Sequence, residues 1–234
     1  MERITTAPGL ATALLTVAAG FVVLVRREMS CPVPLVPLDL LRARPFRISV
    51  LASVCCCVGQ MASYVALPFY LQHALGRGDL AIGLAMTSWP LVVAVAGPLS
   101  GRLADRVSNG LLCAAGGVFL AAGLAIAAAL PPGGTLVPLE CCLILGGLGF
   151  GLFQTPNNRN MLLSAPKERS GAVGGMQARA RLLGQTIGSV IMALLFIITS
   201  TATAPHVGLA VAAVLALAGG LVSILRVPAP AHVE

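Results

Sequence analysis

Residues 89–123 read WPLVVAVAGPLSGRLADRVSNGLLCAAGGVFLAAG, in which two apolar runs surround a charged hexapeptide. The hexapeptide GRLADR occupies positions 101–106, although only 10% of the whole chain is charged. Counted to its full length, each apolar run holds about 20 residues, the number that an α-helix needs to cross a hydrocarbon layer about 30 Å thick. The pattern predicts two membrane-spanning helices joined by a short charged turn.

Apolar runs of this length recur along the whole chain, in which 57% of the residues are hydrophobic. Such a composition is typical of membrane proteins, and long irregular runs that contain Gly and Pro favour helices. We therefore predict an all-α polytopic membrane protein with seven transmembrane helices. The predicted runs are 7–25, 48–71, 81–100, 111–130, 136–155, 172–198 and 207–225.

The flanks of the first run indicate a retained anchor rather than a cleaved signal peptide. Glu2 offsets Arg3 before the run, and Arg26 and Arg27 follow it, whereas a signal peptide carries its positive charge in front. The chain's seven cysteines include no CxxC pair and lie mostly inside apolar runs, so we interpret them as small core residues. We predict no metal site and no enzyme, because the chain lacks a Gly-rich phosphate loop and a G-x-S-x-G motif.

The basic residues are distributed unevenly when the loops are assigned alternately to two sides of a membrane. Arg3 and Arg77 lie on one side, and Arg179 and Arg181 begin the sixth run next to the other side. Because positively charged loops stay in the cytoplasm, this distribution predicts an amino terminus outside and a carboxyl terminus inside. The net charge of +7 thus indicates membrane topology and not nucleic-acid binding. Eleven of the fifteen basic residues lie on the predicted cytoplasmic side: Arg26, Arg27, Arg42, Arg44, Arg47, Arg102, Arg106, Arg159, Lys167, Arg169 and Arg226.

Asp105 is the unexpected residue of the GRLADR turn, because two arginines would be enough to keep a short turn in water. One use for its carboxylate is at the start of the next helix, where the helix dipole favours negative charge. Another is an ion pair with an arginine of a neighbouring helix end, formed in one packing of the helices and broken in another. The second use predicts a conformational latch.

Four stretches of the chain together resemble a family of transporters. GRLADRVSNG resembles the G-x-L-A-D-R loop signature of the major facilitator superfamily, with Ser108 and Asn109 where that family usually has Gly and a basic residue. PLVPLDLL at 34–41, GLFQTPNN at 151–158 and RLLGQTIG at 181–188 are similar to stretches of the fourteen-helix drug:proton antiporters of the superfamily. The resemblance extends over residues 34–225 and preserves the order of the motifs.

The resemblance implies a domain organisation. Such antiporters contain two six-helix repeats joined by two extra helices, and the motifs quoted belong to the second repeat. Residues 1–47 would be a linker transmembrane helix with a basic cytoplasmic loop, 48–226 the carboxyl-terminal six-helix repeat, and 227–234 a cytoplasmic tail. An amino-terminal repeat is then missing from the chain and is an expected partner.

The resemblance also implies a function. It predicts the carboxyl-terminal half of a proton-coupled multidrug efflux transporter in the cell inner membrane, surrounded by lipid, that works by alternating access. The substrates would be lipophilic and typically cationic compounds, such as quaternary ammonium biocides and dyes, and the proton gradient would replace any cofactor. In the GRLADR turn, the resemblance assigns the latch to Gly101, Arg102, Asp105 and Arg106.

Two residues are candidates for proton coupling. Glu140 is the only acidic residue within the seven runs, and acids inside a membrane frequently mark proton or substrate paths. An alternative is that Glu140, about 6 Å from the end of its run, extends to the membrane surface. Arg181 shares a helix face with Gln185, four residues later, so the pair either contacts substrate or locks one helix to another.

The other polar and aromatic residues of the runs are candidates for a substrate pathway, with plain packing as the alternative for each. An aromatic face can hold an organic cation, which favours Tyr64 and Trp89. The Pro156 that follows Thr155 predicts the end of the fifth run and a gate there. Pro68, Pro90 and Pro98 predict kinks, and the spacings of Gly147 with Gly151 and Gly184 with Gly188 predict close helix contacts. The full set of pathway candidates is Gln60, Tyr64, Trp89, Gln154, Asn157 and Gln185.

Two alternatives to a working half-transporter stay open at this point. The first is a truncated fragment that has the same architecture but no transport activity. The second is a small integral-membrane interaction protein, for which loops without transporter motifs would be expected.

Overall fold

Residues 38–131 and 133–225 are described by a computed structural model, in which six long helices follow one another. Three short 3-10 segments accompany them, at Leu38–Arg42, Lys167–Arg169 and Ser223–Leu225, and this part of the chain contains no β-strand. The predicted run 7–25 and the predicted tail lie outside the described residues. The long helices are α1 Arg44–His73, α2 Asp79–Leu103, α3 Asn109–Ala129, α4 Leu136–Leu163, α5 Ser170–Ile198 and α6 Ala204–Val222.

All six helices are long and apolar enough to cross a membrane. The shortest, α6, has 19 residues and the longest, α1, has 30. At 1.5 Å per residue these helices are about 28 Å and 45 Å long, against a hydrocarbon core of about 30 Å. The predicted all-α membrane fold is therefore confirmed for the described part of the chain.

The helix ends follow local chemistry. Pro45 occupies the first turn of α1, where a missing backbone donor costs nothing, and Gly76 takes a φ of 59° in the turn between α1 and α2. The hydroxyl of Ser108 accepts a hydrogen bond from the Leu111 backbone N–H at 3.4 Å and thereby caps α3. The cap of α3 is therefore Ser108 and not Asp105, which lies one turn earlier.

The prediction that Pro156 ends its helix is wrong, because α4 continues through this residue to Leu163. A proline lacks the N–H that would bond to the carbonyl four residues earlier, which here is the carbonyl of Leu152. That carbonyl instead accepts a hydrogen bond from Ser100 Oγ of α2 at 3.3 Å. The neighbouring carbonyl of Phe153 accepts from Cys113 Sγ at 3.6 Å. Side chains of neighbouring helices thus keep α4 continuous, as is usual for prolines in membranes.

The six helices pack as two triplets with the same internal arrangement. Helix α1 packs mainly against α5 and α6, whereas α4 packs mainly against α2 and α3. Helices α3 and α6 join the triplets, and α1 and α4 share a smaller contact. The pattern of these main contacts is symmetric: α1 contacts α5 and α6 in the same way as α4 contacts α2 and α3, respectively. Because α1 and α4 start at opposite ends of the bundle, the triplets form an inverted repeat of the kind that transporters use.

Glycines allow the close approach of helices within each triplet, which confirms the two predicted close contacts. A Cβ added at Gly147 would lie 2.9 Å from the carbonyl oxygen of Trp89, and one at Gly151 would lie 2.6 Å from the Cβ of Ala96. On α5, a Cβ at Gly188 would lie 2.6 Å from the carbonyl oxygen of Val58. The backbones of α4 and α2, and of α5 and α1, therefore touch where only glycine fits.

Two glycines of α5 give a matched test of this packing. A Cβ at Gly184 would lie 2.7 Å from the carbonyl oxygen of Val54, whereas a Cβ at Gly175 would meet nothing within 4 Å. We expect Gly184→Ala to lower the free energy of unfolding by about 1 to 3 kcal/mol, because the helices must separate. Gly175→Ala should be neutral or stabilising by up to about 1 kcal/mol, since alanine favours helix. Thermal unfolding of purified protein measures both, and equal stability of the two variants would contradict this packing.

Side chains from α1 and α6 close the end of α3 away from the basic loops. The Tyr70 hydroxyl donates to the carbonyl of Pro131 at 3.1 Å, and the carbonyl of Ala128 accepts from His206 Nδ1 at 2.7 Å. His73 is the last residue of α1, and His206 lies in the first turn of α6. Both are drawn into helices because their neighbours are apolar, and His206 satisfies a carbonyl that the end of α3 leaves open.

Candidate functional site

A polar cavity of about 520 Å³ lies between α1, α4 and α5. It extends from the end of the bundle that carries the basic loops to the middle of the membrane-spanning segments, because α1 and α5 line it with their first halves and α4 with its second half. Its walls carry carboxamides, one arginine and two phenylalanines. The lining residues are Ser53, Cys57, Phe150, Phe153, Gln154, Asn157, Asn158, Gly174, Gln177, Ala178, Arg181, Leu182 and Gln185.

Each wall of the cavity is one stripe of a helix. Gln177, Arg181 and Gln185 follow one another at four-residue intervals on α5, and Ser53 and Cys57 do the same on α1. Residues four apart lie one above the other on an α-helix, so these side chains all point the same way. The polar wall of α5 is therefore two and a half turns long and lies entirely on one face.

The cavity brings together part of the predicted site. Gln154, Asn157, Arg181 and Gln185 all line it, although they belong to two helices that are distant in sequence. The predicted pathway residues Gln60, Tyr64 and Trp89 are not among the lining residues. Sequence reasoning missed Gln177 and Asn158, which the four-residue spacing of polar residues on α4 and α5 would have revealed.

Some of the cavity's carboxamides are held in place by backbone. Asn157 is 1% exposed and its Nδ2 donates to the carbonyl of Ser49 at 3.2 Å, which ties α4 to α1. Gln177 Nε2 donates to the carbonyl of Asn158 at 2.9 Å, which ties α5 to α4. Neither Gln154 nor Gln185 uses its side-chain amide within the described part of the chain, so both are available to a ligand.

Tyr64 and Trp89 form an aromatic pair deeper in the bundle. Their ring centroids are 5.6 Å apart at an angle of 52°. Trp89 is buried in a recess that Gly146 provides, because a Cβ at Gly146 would lie 2.6 Å from the indole ring. The Oε1 of the buried Gln60 and the Nε1 of Trp89 have no hydrogen-bond partner among the described residues. These groups form the polar part of the helix core and not a wall of the open cavity.

The GRLADR turn is connected to α4 by an ion pair. Asp105 Oδ1 lies 2.7 Å from Arg159 Nη1. The side chains are 64% and 42% exposed, so water screens the attraction between them. Asp105 thus contacts an arginine near the end of a neighbouring helix, the geometry that a latch requires. Its breaking during transport stays a prediction.

The remaining latch candidates surround the same turn. Arg102 and Arg106 line, with Asp105, an exposed groove of about 620 Å³ beside α2. Gly101 lies half-buried in the last turn of α2. We place the candidate ligand site in the α1–α4–α5 cavity and not in this groove, because the cavity reaches the membrane interior.

A second link between the turn and α4 lies next to the ion pair. Asn109 Nδ2 donates to Asn160 Oδ1 at 2.9 Å. Asn109 is one of the two positions at which the loop departs from the family signature, and Ser108, the other, caps α3. Ser108 and Asn109 therefore each make a hydrogen bond of their own. The Asp105–Arg159 ion pair and the Asn109–Asn160 hydrogen bond together connect the turn and the start of α3 to the end of α4.

Glu140 lies away from the cavity. It is half-buried and is the fifth residue of α4, near the end of the helix that is opposite the basic loops. Gln154 is the first carboxamide of α4 that lines the cavity, fourteen residues further on, or about 21 Å at 1.5 Å per residue. Glu140 is therefore too far from the cavity in this structure to contact a ligand bound there.

The cysteines of the described part of the chain all lie in helices. Cys55, Cys56, Cys57, Cys113, Cys141 and Cys142 form no disulfide there, and four of the six are buried. No group of three or more His, Cys, Asp or Glu side chains is placed to hold a metal within residues 38–131 and 133–225. The cysteines therefore act as small apolar residues in the packing.

Comparison with known families agrees with this architecture. The family model described as Major Facilitator Superfamily matches residues 4–189 and, in a second overlapping match, 49–234. The chain belongs to the Major Facilitator Superfamily. Membership in this superfamily, together with six apolar helices, makes the chain a multi-pass membrane protein.

Several curated superfamily members are similar to the chain. The uncharacterized transporter YebQ of Escherichia coli (strain K12) is 45% identical over 93% of the chain and 49% of its own length. The riboflavin transporter RibZ of Clostridioides difficile (strain 630) is 30% identical over 75% of the chain and 39% of its own length. The multidrug efflux pump LfrA of Mycolicibacterium smegmatis is 27% identical over 74% and 34%. The chain spans about half the length of these relatives or less.

Proposed function

We propose that this chain forms the carboxyl-terminal six-helix half of a proton-coupled exporter of lipophilic compounds. The observation that carries the proposal is the polar α1–α4–α5 cavity, which opens at one end of an inverted repeat of membrane helices. Transporters of this architecture bind substrate near the middle of the bilayer at the interface of two repeats. The similarity to a relative named as a multidrug efflux pump supports export as the direction of transport.

The arrangement of the triplets supports alternating access as the mechanism. In the conformation of the structure, the cavity opens towards the end of the bundle that carries the basic loops. An inverted repeat allows a second conformation in which the helices rock and the opposite end opens. Because basic loops stay in the cytoplasm, we place the opening of the cavity on the cytoplasmic side of the inner membrane. The same rule places the amino terminus outside. Substrate would then enter from the cytoplasm.

The proposal needs a second wall opposite the cavity. Only 17% of the spanning segment of α2 and of α5 is buried, compared with 61% for α1. Leu84 and Leu91 of α2 and Ile197 of α5 are 62% to 73% exposed, so these helices offer apolar faces to lipid or to another repeat. We propose that an amino-terminal six-helix half covers part of these faces and completes the cavity.

Glu140 is the proposed proton-coupling residue, because it is the only acidic residue inside the apolar runs and is half-buried. Vesicles that hold the chain together with a complementary half should accumulate a lipophilic dye when a pH gradient is imposed. Glu140→Gln should abolish this gradient-driven accumulation, because an amide cannot carry the proton, while dye binding stays within about twofold of the unchanged protein.

The control for this experiment is Glu168→Gln, which removes an acidic residue from the exposed segment before α5. It should accumulate dye at the unchanged rate. Normal dye accumulation by Glu140→Gln would show that this carboxylate only reaches the membrane surface. If the unmutated chain and its complementary half together accumulated no dye, proton-driven export itself would be contradicted.

A further inference from the structure

The charges that line the α1–α4–α5 cavity are all of one sign. Among the described residues that line it, Arg181 is the only one charged at neutral pH, and none is a carboxylate. The resemblance to drug:proton antiporters predicts a cationic substrate, for which an acidic or aromatic partner would be expected. The lining residues offer a cationic ligand neither a carboxylate nor an exposed aromatic face, because Phe150 and Phe153 are each only 2% exposed.

Arg181 has no counter-charge among the described residues. Within the described part of the chain, the only ion pair is that of Asp105 with Arg159, and both belong to the exposed turn region outside the cavity. Glu140 lies about 21 Å along α4 from the first carboxamide that lines the cavity. An unneutralised guanidinium inside the spanning segments is energetically costly and therefore favours an anion as its partner.

The groups around Arg181 are suited to oxygen atoms. Gln185 lies one turn further along the same face of α5, and Gln154 lies on the facing wall of α4. Both have free amide groups, which donate two hydrogen bonds each, and a guanidinium offers up to five donors in a planar fork. A fork of this kind binds an oxyanion through two parallel hydrogen bonds.

We infer that the α1–α4–α5 cavity binds an organic acid, a phenol or a carboxylate, as its anion and discriminates against organic cations. Arg181 contacts the oxyanion, and Gln154 and Gln185 donate to the remaining oxygen atoms. This inference rests on the proposed function for its biological meaning, but the ligand chemistry follows from the cavity alone.

Two dyes of the same xanthene scaffold and opposite charge test the inference. The fluorescein ethyl ester is an anion at mildly alkaline pH, and the tetramethylrhodamine ethyl ester is a cation. Binding of each dye to the full 234-residue chain in nanodiscs of neutral phosphatidylcholine is measured by fluorescence anisotropy. We expect the anionic dye to bind at least about tenfold more tightly, the effect of one charge-assisted hydrogen bond.

Three variants identify the residue responsible. Arg181→Gln should weaken binding of the anionic dye by about tenfold and leave the cationic dye unchanged, whereas Arg181→Lys should retain most of the preference. Arg179→Gln removes an arginine of the same helix that does not line the cavity, and should change neither affinity. All variants are compared only if they elute from size-exclusion chromatography as the unchanged chain does.

The outcomes separate this inference from the proposed function. Tighter binding of the cationic dye, no binding of either dye, or an equal effect of the Arg181 and Arg179 variants would overturn the inference, while export by the assembled transporter would still stand. Nanodiscs that contain anionic phosphatidylglycerol provide a further arm. Because an anionic surface repels the anionic dye in every disc of this kind, the unchanged chain is compared there with Arg181→Gln. Loss of the difference between the two in those discs would assign Arg181 to a lipid headgroup and would also overturn the inference.

Discussion

A strain that lacks its own exporters should gain no drug tolerance from these 234 residues alone. The described helices α1, α4 and α5 line one side of the proposed substrate path. We propose that a second repeat supplies the other side. A substrate bound there would meet lipid or water on its free side, so no movement of the helices could carry it from one face of the membrane to the other.

The same cells should become tolerant when a separately encoded amino-terminal half is present. The measurement is growth on a panel of lipophilic cations and lipophilic acids, with the chain alone, the second half alone and both together. The expected difference is all or none: the two single halves match the empty vector, and only the pair exports. Tolerance from the chain alone would contradict the need for a second half. No tolerance from the pair, with both halves in the membrane, would favour the inactive fragment or an interaction protein.

Asp105→Asn should reduce export by the assembled transporter at least about tenfold while it leaves the fold intact. The ion pair with Arg159 is exposed to water, and such pairs contribute at most about 1 kcal/mol to stability. A large effect on export together with a small effect on unfolding would therefore show that the pair acts on the balance between conformations. A purely structural pair would change both properties by the same small amount.

Two variants make the test of Asp105 specific. Asp79→Asn removes the acidic residue in the first turn of α2 and should export at the unchanged rate. Exchanging the charges, with Asp105→Arg and Arg159→Asp in one protein, should restore part of the export that each single change removes. Unchanged export by Asp105→Asn at normal expression would rule out the latch, and failure of the exchange would show that Asp105 acts through another partner.

The sequence was sufficient for the architecture because membrane helices are determined by local composition. Each of the six apolar runs from residue 48 onwards lies within one helix or extends from it by a few residues, since only a helix satisfies the backbone of an apolar segment in lipid. The spacing of Gly184 and Gly188 was also sufficient to predict a close contact. What the spacing could not supply was the partner helix, which depends on how the bundle folds.

The candidate site was only partly predictable, because its residues meet through tertiary structure. Arg181 and Gln185 were identifiable from their four-residue spacing, but their position opposite Gln154 depends on the packing of α5 against α1 and α4. The position of Asp105 in the turn predicted an arginine as its partner. It did not indicate Arg159, which is 54 residues away in the sequence. The continuation of α4 beyond Pro156 was not predictable at all, since its explanation is a hydroxyl on another helix.

The carbonyl that this hydroxyl bonds marks a point at which α4 is suited to act as a hinge. Because Pro156 leaves the carbonyl of Leu152 without a partner in its own helix, the hydrogen bond from Ser100, a net contribution of about 1 kcal/mol, replaces the missing helical bond there. Gln154 lies before the hinge and Asn157 after it, so each bend changes the width of the cavity. A bend at Pro156 would therefore connect the backbone of α4 directly to the space that the cavity offers a ligand.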